Sequence, residues 1–451
     1  MNGRTFGPPR DGDALSMRGR RAIRKGASAV LGASLALTAC SESGPTPPGP
    51  LTSALQQQGG THVGLLLPMT GRNARLGQDM ANAAKIALPD GGKAVLDIRD
   101  TDGPSGAGAA ARAAIEAGDR IILGPLTAAQ TGEVGSVAQA AGVPELAYTS
   151  DVSKARQGVW VLGLTPEQQA QRLVVAAKAE GRRKFAAFLP DSALGHALAR
   201  GLMQACEANG LETPNVAFHG SDVASISNGL KTLSDFDARQ KAAQPTPGTP
   251  AADPDAVNPL AADPAPGTAP PSIPPSAGSA PSTSPSAVSL GAPPFDALLL
   301  GDTGLQLAGV IAALKESQIG SAQQVRILGP ALWGAFASKL STLHGAWFAA
   351  PDPRARAGYA QQYQRRYGVA PKPMTDMAYD SAALAGALVN QPSGLTLSSL
   401  TRSDGFAGVD GVFALRPDGQ VTRGLAVFEI SPAGGASIVH AAPTRLVATP
   451  S

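Results

Sequence analysis

Short apolar runs alternate with amphipathic stretches from residue 62 onward. The run at 63–67 is continuously apolar, as expected of a parallel strand that is buried on both faces. Residues 76–88 place Leu76, Met80 and Ala84 on one face of a helix. The alternation continues with strands predicted at 94–98, 121–123 and 145–148 and helices at about 105–117 and 127–141. It predicts a parallel sheet with right-handed crossovers and helices on both faces.

A second series of the same kind begins after the apolar stretch at 159–162. Thr165, Pro166 and Gln168 form a helix start, because Thr165 can cap, Pro166 suits the first turn and Gln168 completes a capping box. The elements predicted after this start are strands at 185–189, 296–300, 325–328 and 346–349, and helices at 192–209, 223–238, 303–318, 354–367 and 374–390. The chain closes on a predicted hairpin of 411–415 with 425–430, around the Asp-Gly turn signal at 418–419.

A Pro/Ala/Ser-rich segment at 241–294 interrupts the second series. Positions 245–294 hold 15 of the 39 prolines and show no apolar periodicity, so the segment is predicted to be disordered. Such an insert is tolerated in a surface loop, since the entropy of loop closure grows slowly with length. A neutral insertion, a spacer of polyproline type and a docking strand all remain open as its role.

The N-terminus has the features of an export signal. A basic stretch at 18–25 precedes an apolar run at 27–39, which stops at Leu-Thr-Ala-Cys. The run is shorter than the roughly 20 apolar residues that span a bilayer. Residues 1–39 are therefore predicted to be a signal peptide that is removed. The general export route is favoured over the twin-arginine route, which the basic stretch resembles only faintly.

The end of this signal also resembles a bacterial lipobox. The resemblance implies that the thiol of Cys40 carries fatty acyl chains such as palmitate, with residues 40–60 as a tether to the first strand. Several acyl chains hold a protein stably on a membrane. Ser41 then favours the outer membrane, because an Asp at this place favours inner-membrane retention. An ordinary signal peptide with a chance cysteine is the alternative.

The net charge and the cysteine content bear on which functions are plausible. Residues 1–40 hold seven of the 37 basic and two of the 34 acidic residues, so the remaining chain carries about −2 rather than the formal +3. Net charge therefore gives no support for nucleic-acid binding. The second cysteine, Cys206, lies in an Ala/Leu-rich stretch and is predicted to be a buried apolar residue.

Signatures of catalysis are weak. The five histidines have no metal-ligand spacing, and the chain has neither a nucleophile elbow nor a phosphate-binding Walker loop. The Gly-Ala-Gly at 106–108 lacks the third glycine of a dinucleotide site. We therefore predict no enzyme activity, no metal and no cofactor.

The predicted fold offers a cleft instead. In open α/β sheets, ligands bind beyond the carboxyl ends of the strands, where helix N-termini converge. Each hydroxyl or carboxylate there serves equally well as a helix cap. The residues predicted to line or fill the cleft are Thr70, Arg72, Asn73, Thr127, Gln130, Tyr148, Thr149, Ser150, Asp191, Asp302, Thr303 and Trp333.

Several motifs resemble the leucine-binding family of type I periplasmic binding proteins. They are Val-Gly-Leu-Leu-Leu-Pro-Met-Thr-Gly at 63–71, Gly124-Pro125, Ala-Gly-Val-Pro at 141–144, Asp191 with Gly195, and Ala-Tyr-Asp-Ser-Ala at 378–382. The resemblance implies two doubly wound α/β lobes joined by three crossovers near 163–166, 349–354 and 404–409. It implies lobe I at 61–165 and 352–406, lobe II at 166–351 and 407–432, and a C-terminal tail at 433–451.

The chain departs from amino-acid receptors of that family at the ligand positions. Ala128 stands where a serine is usual, Leu194 where an aromatic residue is usual, and Ala331 where an acidic residue pairs with the ligand's ammonium. An ammonium left unpaired in a closed cleft costs several kcal/mol.

A second resemblance is closer. The Leu-Leu-Leu-Pro-x-Thr-Gly-Arg start at 65–72, the Leu-Thr-Pro-Glu stretch at 164–167, Gly-Ala-Trp-Phe-Ala at 345–349 and Gly-Val-Asp-Gly at 408–411 resemble the C-terminal domain of penicillin-binding-protein activator lipoproteins. This resemblance implies a non-catalytic activator of a bifunctional penicillin-binding protein in peptidoglycan synthesis. The alternative is the substrate receptor of an amino-acid-type ABC transporter, with a small ligand in the cleft.

Overall fold

The structure is a computed structural model that describes residues 60–244, 290–320 and 324–446. The predicted signal peptide, the acylation of Cys40 with nearly all of its tether, and most of the 241–294 insert lie outside the described residues. None of the helices in the described ranges is long and apolar enough to cross a membrane.

The first pass of the chain builds lobe I. Its strands are β1 Thr61–Leu67, β2 Ala94–Asp100, β3 Ile122–Leu123, β4 Glu145–Ala147 and β5 Val159–Val161. They form a parallel sheet in the order β2-β1-β3-β4-β5. The helices between the strands are α1 Ala74–Ala87, α2 Gly106–Glu116 and α3 Ala128–Ala140. The strand and helix alternation predicted for this segment is thus confirmed.

The second pass builds lobe II. Its helices are α4 Pro166–Ala179, α5 Ala193–Ala208, α6 Val223–Leu233, α7 Phe236–Ala243 and α8 Gly304–Glu316. Its parallel strands are β6 Phe185–Pro190, β7 Asn215–His219, β8 Ala297–Leu300, β9 Arg326–Gly329 and β10 Trp347–Ala350. A 3-10 helix, Ala331–Lys339, follows β9.

The last part of the chain serves both lobes. Helices α9 Ala357–Tyr367, α10 Thr375–Val389 and α11 Leu397–Leu400 return to lobe I, followed by the three-stranded sheet of β11 Phe406–Gly408, β12 Gly411–Leu415 and β13 Val421–Arg423. The chain ends in β14 Ala426–Ile430 and β15 Ala436–His440. These two strands complete the seven-stranded sheet of lobe II, in the order β15-β14-β10-β9-β8-β6-β7.

The end of the chain differs from the prediction in three ways. Residues 411–415 pair with 421–423 across the Asp-Gly turn, whereas 426–430 join the sheet of lobe II, so the predicted hairpin is wrong. Residues 407–423, predicted in lobe II, pack Phe413, Leu415 and Val421 into the core of lobe I. The predicted tail contains strand β15. A turn signal indicates where the chain reverses direction. Burial determines which strand then pairs with which partner.

Strand β7 was missing from the predicted elements. Its sequence, Asn-Val-Ala-Phe-His, is exposed at Asn215 and Phe218, because β7 is the edge strand of its sheet. An edge strand with mixed exposure lacks the continuous apolar run that marks the central strands.

Both lobes begin with the same close contact between a strand and a helix. A Cβ added at Gly77 of α1 would collide with the carbonyl oxygen of Pro68, which directly follows β1. A Cβ added at Gly195 of α5 would collide in the same way with the carbonyl oxygen of Pro190. Only glycine allows the helix backbone to approach the strand end so closely.

Three chain segments connect the lobes, at 162–165, 351–356 and 424–425. The first leads from the carboxyl end of β5 to the N-terminus of α4, and the second from the carboxyl end of β10 to α9. The guanidinium of Arg423 donates to the carbonyl of Leu162 at 3.0 Å, which ties the third connection to the first. The carboxyl ends of both sheets therefore face each other across the connection. The third connection was predicted near 404–409 and lies later, because β11 to β13 stay with lobe I.

Candidate functional site

The lobe I side of the cleft is organised by Asp100 at the end of β2. Its carboxylate accepts hydrogen bonds from the hydroxyl of Thr70 at 2.6 Å and from the backbone N–H groups of Met69, Thr70 and Asp102 at 2.8, 3.3 and 3.0 Å. Burial alone would raise the pKa of Asp100, but these hydrogen bonds outweigh it and hold the pKa below its usual value. Thr70 is thus already bonded within its own lobe.

Thr127 and Gln130 are also occupied. The hydroxyl of Thr127 accepts from the backbone N–H of Gln130 at 3.3 Å and so caps α3. The amide nitrogen of Gln130 donates to a carboxylate oxygen of Asp102 at 2.7 Å. This bond joins the loop after β2 to the start of α3.

The loop after β4 contains one side chain that lies in the core. The hydroxyl of Tyr148 lies 2.8 Å from that of Ser381 on α10, and the ring belongs to the core of lobe I. Thr149 is buried, and its hydroxyl accepts from the backbone N–H of Asp151 at 3.1 Å. Ser150 is exposed. Tyr148 therefore contributes packing rather than a cleft surface.

Arg72 and Asn73 lie at the start of α1. Arg72 is exposed, and Asn73 occupies the N-cap position without a side-chain capping bond. These two residues and Ser150 leave polar groups on the lobe I side that face outward.

On the lobe II side, two His–Asp pairs lie at the carboxyl ends of neighbouring strands. Asp191 follows β6 and pairs with His196 at 2.9 Å, with both side chains about half or more exposed. Asp302 follows β8 and pairs with His219 of β7 at 3.2 Å, with both side chains fully buried. The same pair of residue types is thus solvated in one place and enclosed in the other.

In the buried pair, each ring nitrogen of His219 lies next to an oxygen acceptor. The Nδ1 of His219 lies 2.8 Å from the carbonyl oxygen of Gly220, and its Nε2 lies 3.2 Å from a carboxylate oxygen of Asp302. A carbonyl can only accept, so Nδ1 carries a proton, and Nε2 donates to the carboxylate when the ring is protonated as well. Burial alone would lower the pKa of His219, but the bonds to Asp302 and Gly220 raise it.

Trp333 and Thr303 complete the lobe II side. The indole of Trp333 is fully buried in the lobe core and donates to the backbone carbonyl of Asp302 at 3.0 Å. Thr303 is half-buried at the N-cap position of α8, without a side-chain capping bond. Trp333 therefore supports the end of β8 from inside the lobe.

Sequence reasoning missed His219 and Glu167. His219 ends an edge strand that the apolar pattern did not predict, although Asp222 just after it is a helix-start signal. Glu167 lies in the first turn of α4, where both carboxylate oxygens are buried without a hydrogen-bond partner. Burial raises the pKa of Glu167, against the attraction of Arg200 at 3.7 Å.

A cavity of about 340 Å³ lies elsewhere, between the C-terminus of α1 and α10 in lobe I. Residues 60–244, 290–320 and 324–446 contain no cluster of three His, Cys, Asp or Glu side chains that could hold a metal.

Comparison with known proteins gives the same architecture. Residues 60–238, less than half of the chain, match the family described as periplasmic binding protein. A putative branched-chain amino acid ABC transporter protein from Rhodospirillum rubrum is similar over 84% of this chain and 100% of its own, with 17% identity and a TM-score of 0.58. The fold is that of the type I periplasmic binding proteins. No curated protein sequence matches the chain.

Two solved structures of LpoA from Haemophilus influenzae share this fold. The C-domain of LpoA, described as a regulator of PBP1A, is 16% identical with a TM-score of 0.54, over 84% of this chain and 100% of that domain. Full-length LpoA is 15% identical with a TM-score of 0.55, over 85% of this chain but only 59% of that protein. A protein described as a putative ABC transporter and one described as a regulator of PBP1A thus share the fold found here.

Proposed function

We propose that this chain is a non-catalytic periplasmic lipoprotein that activates a bifunctional penicillin-binding protein. The observation that carries the proposal is the state of the polar side chains at the cleft. Thr70, Thr127, Gln130, Thr149, Asp191 and Asp302 all form at least one hydrogen bond or ion pair within their own lobe. One side-chain oxygen each of Gln130 and Asp302 is buried without a partner, and both lie beneath the surface that a ligand would meet. Groups that already have partners gain little by exchanging them for a ligand.

The lack of an acidic side chain at position 331 supports the same proposal. Ala331 stands where receptors of the family carry an acidic residue, and its backbone N–H donates to the side-chain amide of Gln169 at 2.7 Å. A ligand ammonium brought to this position would meet no carboxylate from Ala331 and would be costly to bury. Recognition of a protein by the surface of a lobe avoids this cost.

The similarity to LpoA adds support, since this chain spans the whole C-domain of a protein described as a regulator of PBP1A. The motifs at 65–72 and 164–167 resemble activator lipoproteins over the same segment. The chain covers 59% of full-length LpoA, so the activity of the whole protein is part of the proposal.

A transport receptor is the second candidate. It is favoured by the Rhodospirillum rubrum protein, whose entire length is matched. In that case a zwitterionic amino acid would bind between the lobes, using Arg72, Asn73 and Ser150, which still face outward.

One pair of measurements separates the two functions. The purified chain is added to a detergent-solubilised bifunctional penicillin-binding protein from the same bacterium, and glycan polymerisation is followed. An activator increases the rate at a stoichiometric ratio. The melting temperature is measured in parallel with each proteinogenic amino acid, and only a receptor is stabilised by one of them. A rise in melting temperature without stimulation would replace the first proposal with the second.

The location is part of the proposal. Acylation of Cys40 would fix the protein to a membrane, and Ser41 would direct it to the outer membrane. Metabolic labelling with a palmitate analogue should mark the wild type and leave Cys40→Ala unlabelled. Ser41→Asp should move the protein to the inner-membrane fraction and reduce activation in cells. Normal activation after that relocation would contradict the outer-membrane assignment.

A further inference from the structure

Strongly exposed apolar side chains are concentrated at one edge of lobe II. In the described ranges, four large apolar side chains are more than half exposed, namely Leu305 at 94%, Val223 at 78%, Leu332 at 54% and Val369 at 54%. Three of the four lie at the carboxyl edge of the lobe II sheet. We call Val223, Leu305 and Leu332 the apolar row.

The row follows three helical segments on one face of the sheet. Val223 is the first residue of α6, Leu305 the second of α8 and Leu332 the second of the 3-10 helix after β9. Helices α6 and α8 pack together, and their inner faces share one core with Trp333. The three residues follow the carboxyl ends of β7, β8 and β9, which belong to one sheet in the order β9-β8-β6-β7, so they are distributed along its carboxyl edge.

Asp302 forms hydrogen bonds with two buried residues that lie close in sequence to the row. Its carboxylate bonds His219, four residues before Val223, and its carbonyl accepts from Trp333, next to Leu332. Leu305 follows Asp302 by three residues. These bonds hold the chain beside the three residues, and a segment whose backbone is already ordered loses less entropy when a partner covers it. The row therefore stands on an ordered backbone rather than on a loose loop.

The charge around the row is acidic. The segments that form this edge, at 190–193, 220–223, 301–305 and 330–333, contain no Lys or Arg. Two of their aspartates, Asp191 and Asp222, are exposed, and Asp191 pairs with the half-exposed His196. Asp302 is fully buried and adds no charge to the surface. An anionic membrane surface would be repelled. The chain's own residues 245–289 contain three aspartates and no Lys or Arg, so their charge is not complementary either.

We propose that Val223, Leu305 and Leu332 form a docking surface for a segment of a partner protein that carries apolar side chains flanked by Lys or Arg. This proposal rests on the proposed function, because it takes the partner to be the penicillin-binding protein. Apolar side chains of the segment cover the row, and its cations meet Asp191 and Asp222. Patches of this kind on a soluble surface are typical of protein contacts.

The test uses the full chain and an immobilised, detergent-solubilised bifunctional penicillin-binding protein from the same bacterium. The double variant Val223→Ser and Leu305→Ser should bind at least tenfold more weakly than the wild type. Val369→Ser, which removes an apolar side chain that is more than half exposed in lobe I, should bind as the wild type does. All three proteins should melt at the same temperature, since each change is at the surface.

A second pair of variants tests the charge. Asp191→Asn with Asp222→Asn should weaken binding about threefold to tenfold at low salt and should flatten its dependence on ionic strength. Asparagine retains the helix-capping role of Asp222. Unchanged affinity and an unchanged salt dependence would show that Asp191 and Asp222 do not bind Lys or Arg of the partner segment.

The outcomes separate this proposal from the function on which it rests. If the wild type does not bind the synthase, the proposed function and the docking surface both fail. If the wild type and the double serine variant bind equally well, the docking surface alone is wrong. Self-association in sedimentation experiments that the serine variant abolishes would reassign the row to a second copy of this chain. Stabilisation by a free amino acid that the serine variant abolishes would reassign it to a ligand.

Discussion

The carboxyl edges of the two lobes face each other but are built differently. In lobe I, the edge is polar, and its side chains bond one another through Asp100, Asp102 and Gln130 in contact with solvent. In lobe II, the polar pair of His219 and Asp302 is fully buried, and apolar side chains stand outside it. The lobe I edge thus keeps its polar network at the surface. The lobe II edge exposes the pair of Asp191 and His196 but buries the pair of His219 and Asp302.

This difference bears on function. A cleft that closes on a zwitterionic ligand needs free polar groups on the two sides that meet the ligand. Lobe I retains a few outward-facing polar groups, but the outer surface of the lobe II edge is apolar with an acidic surround. The second edge is therefore better suited to contact with a protein segment than to capture of an amino acid.

The largest expected effect comes from breaking the buried pair. Asp302→Ala leaves His219 buried without its carboxylate partner, and the free energy of unfolding should fall by about 3 kcal/mol. Asp191→Ala, which breaks the exposed His–Asp pair at the same edge, should cost less than about 1 kcal/mol. Urea unfolding followed by circular dichroism measures both values.

A conservative variant sharpens this result. The amide of Asp302→Asn can donate to an unprotonated Nε2 of His219, while Nδ1 still donates to the carbonyl of Gly220. This variant should therefore lose less stability than Asp302→Ala. Equal losses in Asp302→Ala and Asp191→Ala would show that burial does not distinguish the two pairs.

The close contact between a helix and a strand end that both lobes share should have a smaller effect on stability. Gly77→Ala in lobe I and Gly195→Ala in lobe II each bring a methyl group against a proline carbonyl, and each should cost about 2 kcal/mol. Gly132→Ala is the control, because this glycine lies in α3 with open space around it. The control should be stabilised by about 0.5 kcal/mol through helix propensity. A much smaller cost in one lobe would show that its helix can move away from the strand.

The amino-acid sequence predicted the lobes well because the central strands are continuous apolar runs. It failed at the edge strand β7, where Asn215 and Phe218 are exposed, and at 407–432, where β12 and β14 have similar patterns but enter different lobes. Local pattern determines that a strand forms. Its partner is determined by long-range packing, which a pattern of apolar positions does not contain.

The site was predicted in part for a similar reason. Functional side chains in such folds follow the carboxyl ends of parallel strands. This rule correctly predicted that Thr70, Thr127, Asp191 and Asp302 lie at the facing edges of the two sheets. It could not indicate which of them have partners, because His219 is 83 residues from Asp302 in the chain. Nor could it show that Tyr148 and Trp333 turn inward, since a strand end has two faces.

The buried pair should also give lobe II an alkaline sensitivity. The pKa of His219 is raised in the folded state, so its contribution to stability is fully present below the unfolded value of about 6.5. The contribution is lost as the pH rises through the higher folded value. The stability difference between the wild type and Asp302→Asn should therefore be largest near pH 6 and should shrink toward pH 9. A difference that stays constant over this range would mean that the pair carries no additional proton.

The lobe I edge should respond to pH with the opposite sign and a smaller amplitude. The pKa of Asp100 is lowered in the folded state, so its contribution is present above the unfolded value near 4 and is lost as the pH falls through the folded value. Asp100→Asn should cost about 1 kcal/mol at pH 7, because the hydrogen bonds remain partly available and the site is close to solvent. The cost should shrink as the pH falls below about 4 and should not change between pH 6 and 9. If Asp100→Asn instead showed the alkaline dependence expected for His219, the two edges would share one titrating network, and the contrast between a solvated polar edge and a buried one would be lost.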